Sequence, residues 1–337
     1  MAESYFALSH ADRLEALNVA ASAAGRGAHL LEKDIWVVWA LQALFSSLLG
    51  EHLVFKGGTS LSKGYGIIER FSEDVDLTYD IRQIIPKLAV GDPPIPPTNS
   101  QADKWSKAAR QELANWVITS ALPVLQAHAK ATDADVTFRI EGATIYVDYD
   151  QLAKGIGYAA PWVQLEFGAR STGEPAETKH VTCDASPHLP GIELPNASPR
   201  IMLPNRTFWE KATAVHVFCA QTIRGDRISR HWYDLLRLDD KGFAQAAFDD
   251  QPLAKEVADW KAKFFREKDR NGRSIDYAAA VSGALQLVPN EELRKDLEPD
   301  YQKMAEEGIL PKDAESFDEL MKGCEALQQR ANEAMGG

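Results

Sequence analysis

Two aspartates separated by one residue, Asp74 and Asp76, have the types and spacing best suited to chemistry. They lie in DVDLT, whose alternation of polar and apolar residues predicts a strand. Side chains two apart on a strand point to one face, so the two carboxylates are expected to converge. A cation between them relieves their repulsion, and Mg²⁺ prefers carboxylate and phosphate oxygens. The pair therefore predicts a site for a divalent metal, Mg²⁺ or Mn²⁺.

Paired glycines, Gly57 and Gly58, follow a short apolar strand predicted at 53–55 and precede a helix predicted over 59–63. Glycines let the backbone approach a ligand closely, and a helix N-terminus offers N–H groups and a positive dipole end to phosphate. Thr59 or Ser60 lies near the cap, and the Ser60 hydroxyl adds a hydrogen-bond partner. Alone, such a turn commonly serves geometry only; the order strand, glycine pair, helix and acidic strand favours function.

The block KGGTSLSKGYGIIERFSEDVDL, residues 56–77, resembles the nucleotidyltransferase superfamily and, more closely, the AbiEii/AbiGii toxin family, which includes the MenT-type toxins. The resemblance extends to Glu32-Lys33-Asp34 and to residues 227–235. It implies a nucleotidyltransferase-fold core with a helical partner domain. It also implies metal-dependent transfer of NMP from an NTP, tRNA 3′ ends as acceptors in some relatives, and a separately encoded antitoxin as partner.

The resemblance assigns roles to individual residues. It places phosphate binding at the glycine turn and metal binding at the acidic strand, that is, at Gly57, Gly58, Ser60, Asp74 and Asp76. Lys211 matches a lysine that the family places against the NTP phosphates. Asp234 matches an active-site aspartate that orients Lys211 or an arginine. For both, the alternative is an ordinary polar helix face with i,i+4 pairs such as Arg230 to Asp234.

A third carboxylate, acting as base or metal ligand, is common in the superfamily. Glu166 is the candidate, because Val163, Leu165 and Phe167 give its strand an apolar face and leave Glu166 on the other. Asp148 in TIYVDY competes with it, and a solvent-exposed carboxylate is the alternative for either.

Further candidates surround these residues. Four side chains are expected to contact NTP phosphates: Thr59, Lys63, Arg70 and Arg230. Ser72, just before the acidic strand, is a hypothetical regulatory position, because a serine there is modified in some relatives. Trp232 and Tyr233 either stack on a base or belong to the core.

Both helices and strands are predicted to position these residues. Helices are predicted from Ser9 to Gly25 and over 30–49, 102–129 and 207–221, and strands over 136–140, 144–149 and 162–167. The proline-rich residues 86–101 predict a surface loop or insertion. The fold class is α+β: a mixed β-sheet core in residues 1–200, and an all-helical domain in residues 201–337 that contributes Lys211 and Asp234.

Composition narrows the function classes. The net charge of −12 argues against a nonspecific nucleic-acid coat, although residues 200–237 hold seven arginines and lysines against three acids. Three separated cysteines, no CxxC pair and no apolar signal segment predict a cytoplasmic protein. The apolar run 35–49 is too short for a membrane span and predicts a core helix.

Three functions remain open on the sequence. The first is a toxin that adds nucleotides to RNA, with tRNA as the favoured acceptor. The second keeps the fold and transfers NMP to a protein or small-molecule hydroxyl, which the acidic charge favours. The third is a non-catalytic nucleotide-binding partner protein, which the intact pair of aspartates disfavours. A P-loop kinase is excluded because GxxxxGK[ST] is absent.

Overall fold

The computed structural model describes residues 3–72, 74–154, 160–221 and 225–336. Its contacts divide the chain into two compact units. The first unit comprises Met1–Gly64, Glu73–Leu88 and Lys107–Met202, and the second comprises Tyr65–Ser72, Ala89–Ser106 and Leu203–Gly337. The division between residues 200 and 201 expected from the sequence falls inside a short strand, Arg200–Met202.

Eleven strands occur in the described residues, all in the first unit. They are β1 Glu3–Ser4, β2 Leu53–Lys56, β3 Val75–Tyr79, β4 Val136–Glu141, β5 Thr144–Tyr149, β6 Trp162–Gly168, β7 Ala176–Thr178, β8 Val181–Thr182, β9 Ile192–Glu193, β10 Asn196–Ala197 and β11 Arg200–Met202. The strands predicted at 53–55, 136–140, 144–149 and 162–167 are confirmed, with small extensions. The acidic strand begins at Val75, so Asp74 directly precedes it.

Seven of these strands form one mixed sheet in the order β4-β5-β6-β3-β2-β11-β7. β3 runs parallel to β6, and β11 runs parallel to β2. The other neighbours are antiparallel, including the predicted hairpin β4–β5. The short strand β11 joins the sheet beside β2, where Ile201 is fully buried next to Phe55.

Helices cover one face of this sheet. The helices of the first part of the chain are α1 His10–Ala24, α2 Ala28–Phe45, α3 Gly57–Lys63, α4 Ile81–Ile84, α5 Asn99–Trp116 and α6 Leu122–Thr132. Ser9 caps α1 by accepting a hydrogen bond from the Asp12 N–H, and Gly25 ends it in the left-handed conformation, as predicted. α5 and α6 are joined by the π-helical turn Val117–Ala121.

Large aromatic side chains fix the helices to the sheet. Trp36 of α2 stacks on Tyr149 of β5, with ring centroids 5.3 Å apart. Trp116 of α5 packs edge-on against Phe167 of β6 at 5.5 Å. Because Tyr149 and Phe167 alternate with more exposed neighbours along their strands, the opposite sheet face carries the polar side chains.

The second unit is helical in its described residues, as predicted for the C-terminal region. Its helices are α7 Pro204–Gln221, α8 Arg230–Asp240, α9 Phe243–Asp249, α10 Gln251–Phe264, α11 Tyr277–Ala280, α12 Glu291–Glu306 and α13 Phe317–Met335. Trp209 and Trp232 lie in its core, where their indole N–H groups donate to the carbonyls of Ala247 and Leu287. Trp232 and its neighbour Tyr233 are therefore core residues.

The apolar run 35–49 is a core helix only as far as Phe45, where α2 ends. α2 is almost entirely buried between Ile35 and Leu44, whereas Leu48 beyond its end is exposed. In the described part of the chain, no helix is long and apolar enough to cross a membrane. All three cysteines are buried and unpaired thiols.

Candidate active site

Asp76 belongs to a row of polar residues that crosses the sheet. The register places Lys56 of β2 opposite Asp76 of β3, and Asp76 opposite Glu166 of β6. Glu166 in turn faces Thr144 of β5. Residues in register on neighbouring strands share a face and have side chains about 5 Å apart. Two carboxylates and one ammonium group therefore project from adjacent positions on one sheet face.

Gly57 makes room for the Asp76 carboxylate. Its φ is +78°, and a Cβ placed on it would lie 2.1 Å from Asp76 Oδ2. Any other residue would collide with the carboxylate and adopt a left-handed conformation that costs roughly 1–2 kcal/mol. A glycine is therefore needed at position 57 for a local steric reason. It lets the chain leave β2 and start α3 directly against Asp76.

Asp74 is tied to α3 through its main chain. The Thr59 hydroxyl donates to the Asp74 carbonyl at 2.5 Å, and Thr59 is buried. The fully buried Ser60 donates its hydroxyl to the Gly57 carbonyl at 2.9 Å. Both hydroxyls therefore hold the turn and the residue before β3 together, and their predicted contact with NTP stays a prediction.

The acidic residues fit a divalent metal of the Mg²⁺ type. Asp74 and Asp76 are both half-buried and flank the start of β3. Among the described residues, no group of three or more His, Cys, Asp or Glu side chains is arranged to hold a metal. Mg²⁺ commonly uses one or two carboxylates and completes its shell with water and substrate phosphates. Asp74 and Asp76 would supply the protein ligands, and the nucleotide the others.

The two candidates for the third carboxylate lie in different surroundings. Glu166 is in register with Asp76. Asp148 faces Trp162, four residues before Glu166, and so lies about 13 Å away along the strand. Arg139 binds Asp148 through two hydrogen bonds of 2.7 and 2.8 Å. The geometry favours Glu166 over Asp148 as the third carboxylate beside Asp76.

Lys63 forms ion pairs inside the first unit. Its ammonium lies 2.5 Å from Asp34 Oδ1 and 2.6 Å from Asp184 Oδ1, and its side chain is only 6% exposed. Burial alone would lower the pKa of Lys63, but the two carboxylates offset it and raise the pKa to about 12. Lys63 therefore anchors the end of α3 to α2, and its expected contact with phosphate is not what this arrangement favours.

Glu32 and Lys33, which also carry the family resemblance, bind main-chain groups. Glu32 accepts hydrogen bonds from the N–H groups of Leu152 and Ala153 at 2.9 and 3.1 Å. The Lys33 ammonium donates to the Ala160 carbonyl at 3.1 Å. Together with Asp34, they make the start of α2 a buried charged anchor for the segments that follow β5.

A second cluster of charges lies within the second unit, around Asp234. Asp234 is fully buried and accepts from Arg70 Nε at 2.6 Å and from Arg70 Nη2 at 2.8 Å. Lys211 Nζ lies 2.8 Å from Asp234 Oδ2. Asp234 therefore orients both a lysine and an arginine. Arg70, expected at the phosphates, is held by this carboxylate.

Burial and charge perturb the ionisation of this cluster. Burial alone would raise the pKa of Asp234, but Arg70 and Lys211 hold that pKa well below its usual range. Burial lowers the pKa of Lys211; Asp234 opposes this effect, whereas Arg70 and Arg230 add to it. Burial, followed by the nearby Lys211 and Arg230, also holds the pKa of His231 well below its usual range. A buried lysine with a lowered pKa beside a fixed carboxylate is typical of a functional site.

The segment that precedes α8 is a turn and does not continue the helix towards the N-terminus. α8 begins at Arg230, and Arg227 precedes it with a φ of +61°. The Asp300 carboxylate accepts from the Arg227 N–H at 2.5 Å and from the Ser229 N–H at 2.9 Å. Arg227 and His231 are therefore not an i,i+4 helical pair, because Asp300 holds the chain in a turn.

Two contributing residues and one pairing were missed by the sequence reasoning. Lys56, the register partner of Asp76, lay outside the strand predicted at 53–55 and was given no role. Asp184 lies 121 residues from Lys63, so no local pattern links them. The same holds for Arg70 and Asp234, which are 164 residues apart. Buried lysines and arginines require such partners, and that requirement was the available signal.

Comparison with known proteins agrees with the resemblance inferred from the GGTSL and FSEDVDL motifs. The family model described as nucleotidyl transferase AbiEii toxin, type IV toxin–antitoxin system, matches residues 39–323, most of the chain. No curated protein matches. Among solved structures, the MenT4 nucleotidyltransferase toxin from Mycobacterium tuberculosis H37Rv aligns with a TM-score of 0.47 and 17% identity, covering 97% of this chain and 89% of that chain. On the family match, the chain belongs to the AbiEii family of nucleotidyl transferase toxins.

Proposed function

We propose that this protein transfers a nucleoside monophosphate from an NTP to an RNA hydroxyl, with the 3′ end of tRNA as acceptor. One observation carries the proposal: Asp76 and Glu166 stand side by side on adjacent strands, and Asp76 lies directly against the Gly57 turn. This arrangement supports the proposed roles of Asp76 as a metal-binding carboxylate, of Glu166 as the base, and of the Gly57 backbone as a phosphate-binding segment. Membership of a nucleotidyl transferase family supports the transfer.

The reaction follows from these positions. The acceptor hydroxyl oxygen forms a bond to the α-phosphorus, and the bond from that phosphorus to the bridging oxygen breaks, releasing pyrophosphate. Glu166 takes the hydroxyl proton. Asp74 and Asp76 would hold a Mg²⁺ or Mn²⁺ ion, and the chemistry that it would supply there is neutralisation of the triphosphate and activation of the hydroxyl. The backbone of Gly57 and Gly58 binds phosphate oxygens.

Lys211 is proposed to bind phosphate oxygens of the NTP, with Asp234 and Arg230 supporting it. Asp234 acts as a positioning residue, since its two oxygens hold the lysine and Arg70 in fixed places. Its negative charge also favours the ammonium form of Lys211 against the effect of burial. Lys63 is left out of the proposal because both of its ion-pair partners are protein carboxylates.

As a toxin, the protein is proposed to act in the cytoplasm, where NTPs and tRNA are available. Its activity would be kept in check by an antitoxin encoded separately. The family description places it in a type IV toxin–antitoxin system, which supports the existence of such a partner.

Labelling with each α-³²P-NTP in turn tests the proposal. The purified protein, Mg²⁺ and either total RNA or protein extract are incubated and separated on a gel. We expect label in a tRNA-sized band that RNase removes. We expect no such label when the RNA is oxidised with periodate before the incubation, because periodate destroys the 3′-terminal diol that accepts the nucleotide. Label in protein would assign a different acceptor. No label under any condition, with NTP still bound, would indicate a non-catalytic nucleotide-binding protein.

A further inference from the structure

The sheet face that carries Asp76 and Glu166 continues across three more side chains, one exposed and two half-buried. Arg139 of β4 pairs in register with Tyr146 of β5, and Tyr146 pairs with Gln164 of β6. Trp162 begins β6 on the same face, two residues before Gln164. We name Arg139, Tyr146 and Trp162 the aromatic platform. All three belong to the first unit.

The platform is ordered by its own contacts. The Arg139 guanidinium lies 4.7 Å from the centroid of the Tyr146 ring and 5.2 Å from that of Trp162. The two rings are 6.4 Å apart and nearly perpendicular. Asp148 fixes the guanidinium through two hydrogen bonds, so an exposed arginine is held over the two aromatic rings.

The platform is not part of the hydrophobic core. The core side chains of these strands, such as Val147 and Leu165, point to the opposite face, which the helices cover. Tyr146 and Trp162 are half-buried, and the Arg139 side chain is 49% exposed. Folding of the first unit therefore leaves two large rings and a guanidinium plane accessible on the side of Asp76.

Flat π-surfaces of this kind suit nucleobases. Tyrosine, tryptophan and arginine planes stack on unpaired bases with little preference for sequence. Glu141, Asp148 and Glu166 make the neighbourhood acidic, which disfavours a phosphate backbone lying along the platform. The combination fits bases stacked on the sheet face, with their phosphates directed away from it.

The sheet order indicates which base would bind there. β3, which carries Asp76, lies between β2 and β6. In the proposed function, Gly57 at the end of β2 holds the triphosphate, so pyrophosphate leaves on the β2 side. In-line displacement requires the attacking hydroxyl to enter from the opposite side, the side of β6. The platform lies on that side, with Tyr146 about 7 Å and Trp162 about 13 Å from Glu166 along the strands.

We propose that Arg139, Tyr146 and Trp162 form the binding site for the terminal unpaired bases of the acceptor RNA. The inference rests on the proposed function for its direction, because it assumes that the triphosphate occupies the Gly57 side. The incoming NTP is the other source of a nucleobase, and the experiment separates the two.

The experiment measures binding without transfer. A single-stranded RNA oligonucleotide carrying 2-aminopurine at its 3′ end is titrated with protein in the absence of NTP. Stacking quenches the fluorophore, and the titration gives Kd. NTP binding is measured separately by calorimetry with Mg²⁺ and a non-hydrolysable NTP. The variants are the double substitution Tyr146→Ala with Trp162→Ala, and the ring-preserving pair Tyr146→Phe with Trp162→Phe.

A matched control exists in the second unit. Phe265 is 39% exposed, and the Lys261 ammonium lies 5.1 Å from its ring centroid, so Phe265→Ala also removes an exposed ring from beneath a cation. We expect the double alanine variant to bind RNA about five- to a hundredfold more weakly for each ring removed and to lose quenching. The phenylalanine pair and Phe265→Ala are expected to resemble the wild type, with the Kd for NTP unchanged.

Three results would overturn the inference. If the Kd for NTP rises while RNA binding is unchanged, the platform holds the base of the NTP. If neither constant changes, the three side chains form only a surface contact. If the wild type does not quench the terminal base, no acceptor base stacks there. A failure of the proposed function would look different: RNA would bind in a platform-dependent manner, but no NTP label would be transferred.

Discussion

Glu166 stands directly beside Asp76 in the parallel pair of strands β3 and β6, in register and on the same sheet face. Asp148, also on that face, lies four residues further along and is bound by Arg139. The two carboxylates that the sequence left as alternatives are thus separated by position and by partner.

This separation predicts that kcat responds differently when each carboxylate is replaced by the corresponding uncharged amide. Glu166→Gln should lower kcat about 10²-fold or more, the range typical of a lost general base. Asp148→Asn should leave kcat within a few-fold of the wild type at saturating RNA. Single-turnover transfer with excess NTP measures both. Equal loss in the two variants, or a larger loss in Asp148→Asn, would remove Glu166 from the reaction.

Two glycines with similar backbone conformations test the space at Asp76. Gly57 has a φ of +78°, and its substitution would place a Cβ 2.1 Å from Asp76 Oδ2; Gly142 has a φ of +60° and nothing within 4 Å. Both alanine variants should lose on the order of 1 kcal/mol of stability from the left-handed conformation. Only Gly57→Ala should also lose transfer, by tenfold or more, and need more Mg²⁺. A similar transfer loss in Gly142→Ala would show that backbone strain, not the carboxylate, is responsible.

The Lys63 network predicts a stability effect. Lys63→Met leaves Asp34 and Asp184 without their buried cation, which should cost roughly 3–5 kcal/mol in the free energy of unfolding. Lys255→Met, which breaks the exposed pair with Asp259, should cost about 1 kcal/mol or less. Urea unfolding and the KM for NTP are measured on all three proteins. A raised KM with unchanged stability would return Lys63 to the phosphate site.

Asp234 predicts how stability depends on pH. Arg70 and Lys211 hold the folded-state pKa of Asp234 below its unfolded value of about 3.9. Its contribution is therefore fully present above the unfolded pKa and is lost as the pH falls toward the folded pKa. Asp234→Asn should destabilise the protein by roughly 3–5 kcal/mol at neutral pH, because two buried cations lose their carboxylate.

The difference in the free energy of unfolding between the wild type and Asp234→Asn should become smaller as the pH falls below about 4. Asp239→Asn serves as the control, since Asp239 lies on the same helix and pairs with the half-exposed Arg330 at the surface. Urea midpoints at several pH values measure the effect. A difference independent of pH would mean that the charge of Asp234 does not stabilise the folded state.

How much of the site the sequence could reveal depended on the range of each contact. Gly57 and Asp76 lie within one block of 22 residues, so the local order of strand, turn and strand predicted their proximity. The capped helix α1 and the hairpin β4–β5 were likewise predicted from adjacent residues. The register between β3 and β6 could not be predicted from the sequence, because 82 residues separate the two strands. Periodicity indicates only on which face of the sheet a side chain lies.

Lys63 has ion-pair partners that local sequence patterns do not reveal. A lysine close to a glycine turn suggests a phosphate ligand, but its partners Asp34 and Asp184 come from distant segments. A cation buried in the fold requires opposite charges, and only the tertiary structure shows that two carboxylates already supply them. For the same physical reason Arg70, which was expected to contact phosphate, binds the buried carboxylate of Asp234.

The most direct test of the central claim is nucleotide transfer by Asp76→Asn, which removes one negative charge and preserves the shape of the side chain. The proposed account predicts a loss of at least a hundredfold in the single-turnover rate at saturating NTP and Mg²⁺, with an unfolding midpoint close to that of the wild type. Asp148→Asn, on the same sheet face, should transfer within a few-fold of the wild-type rate once RNA binding is saturated. Transfer by Asp76→Asn at the wild-type rate would contradict the assignment of the metal-binding and catalytic centre to β3.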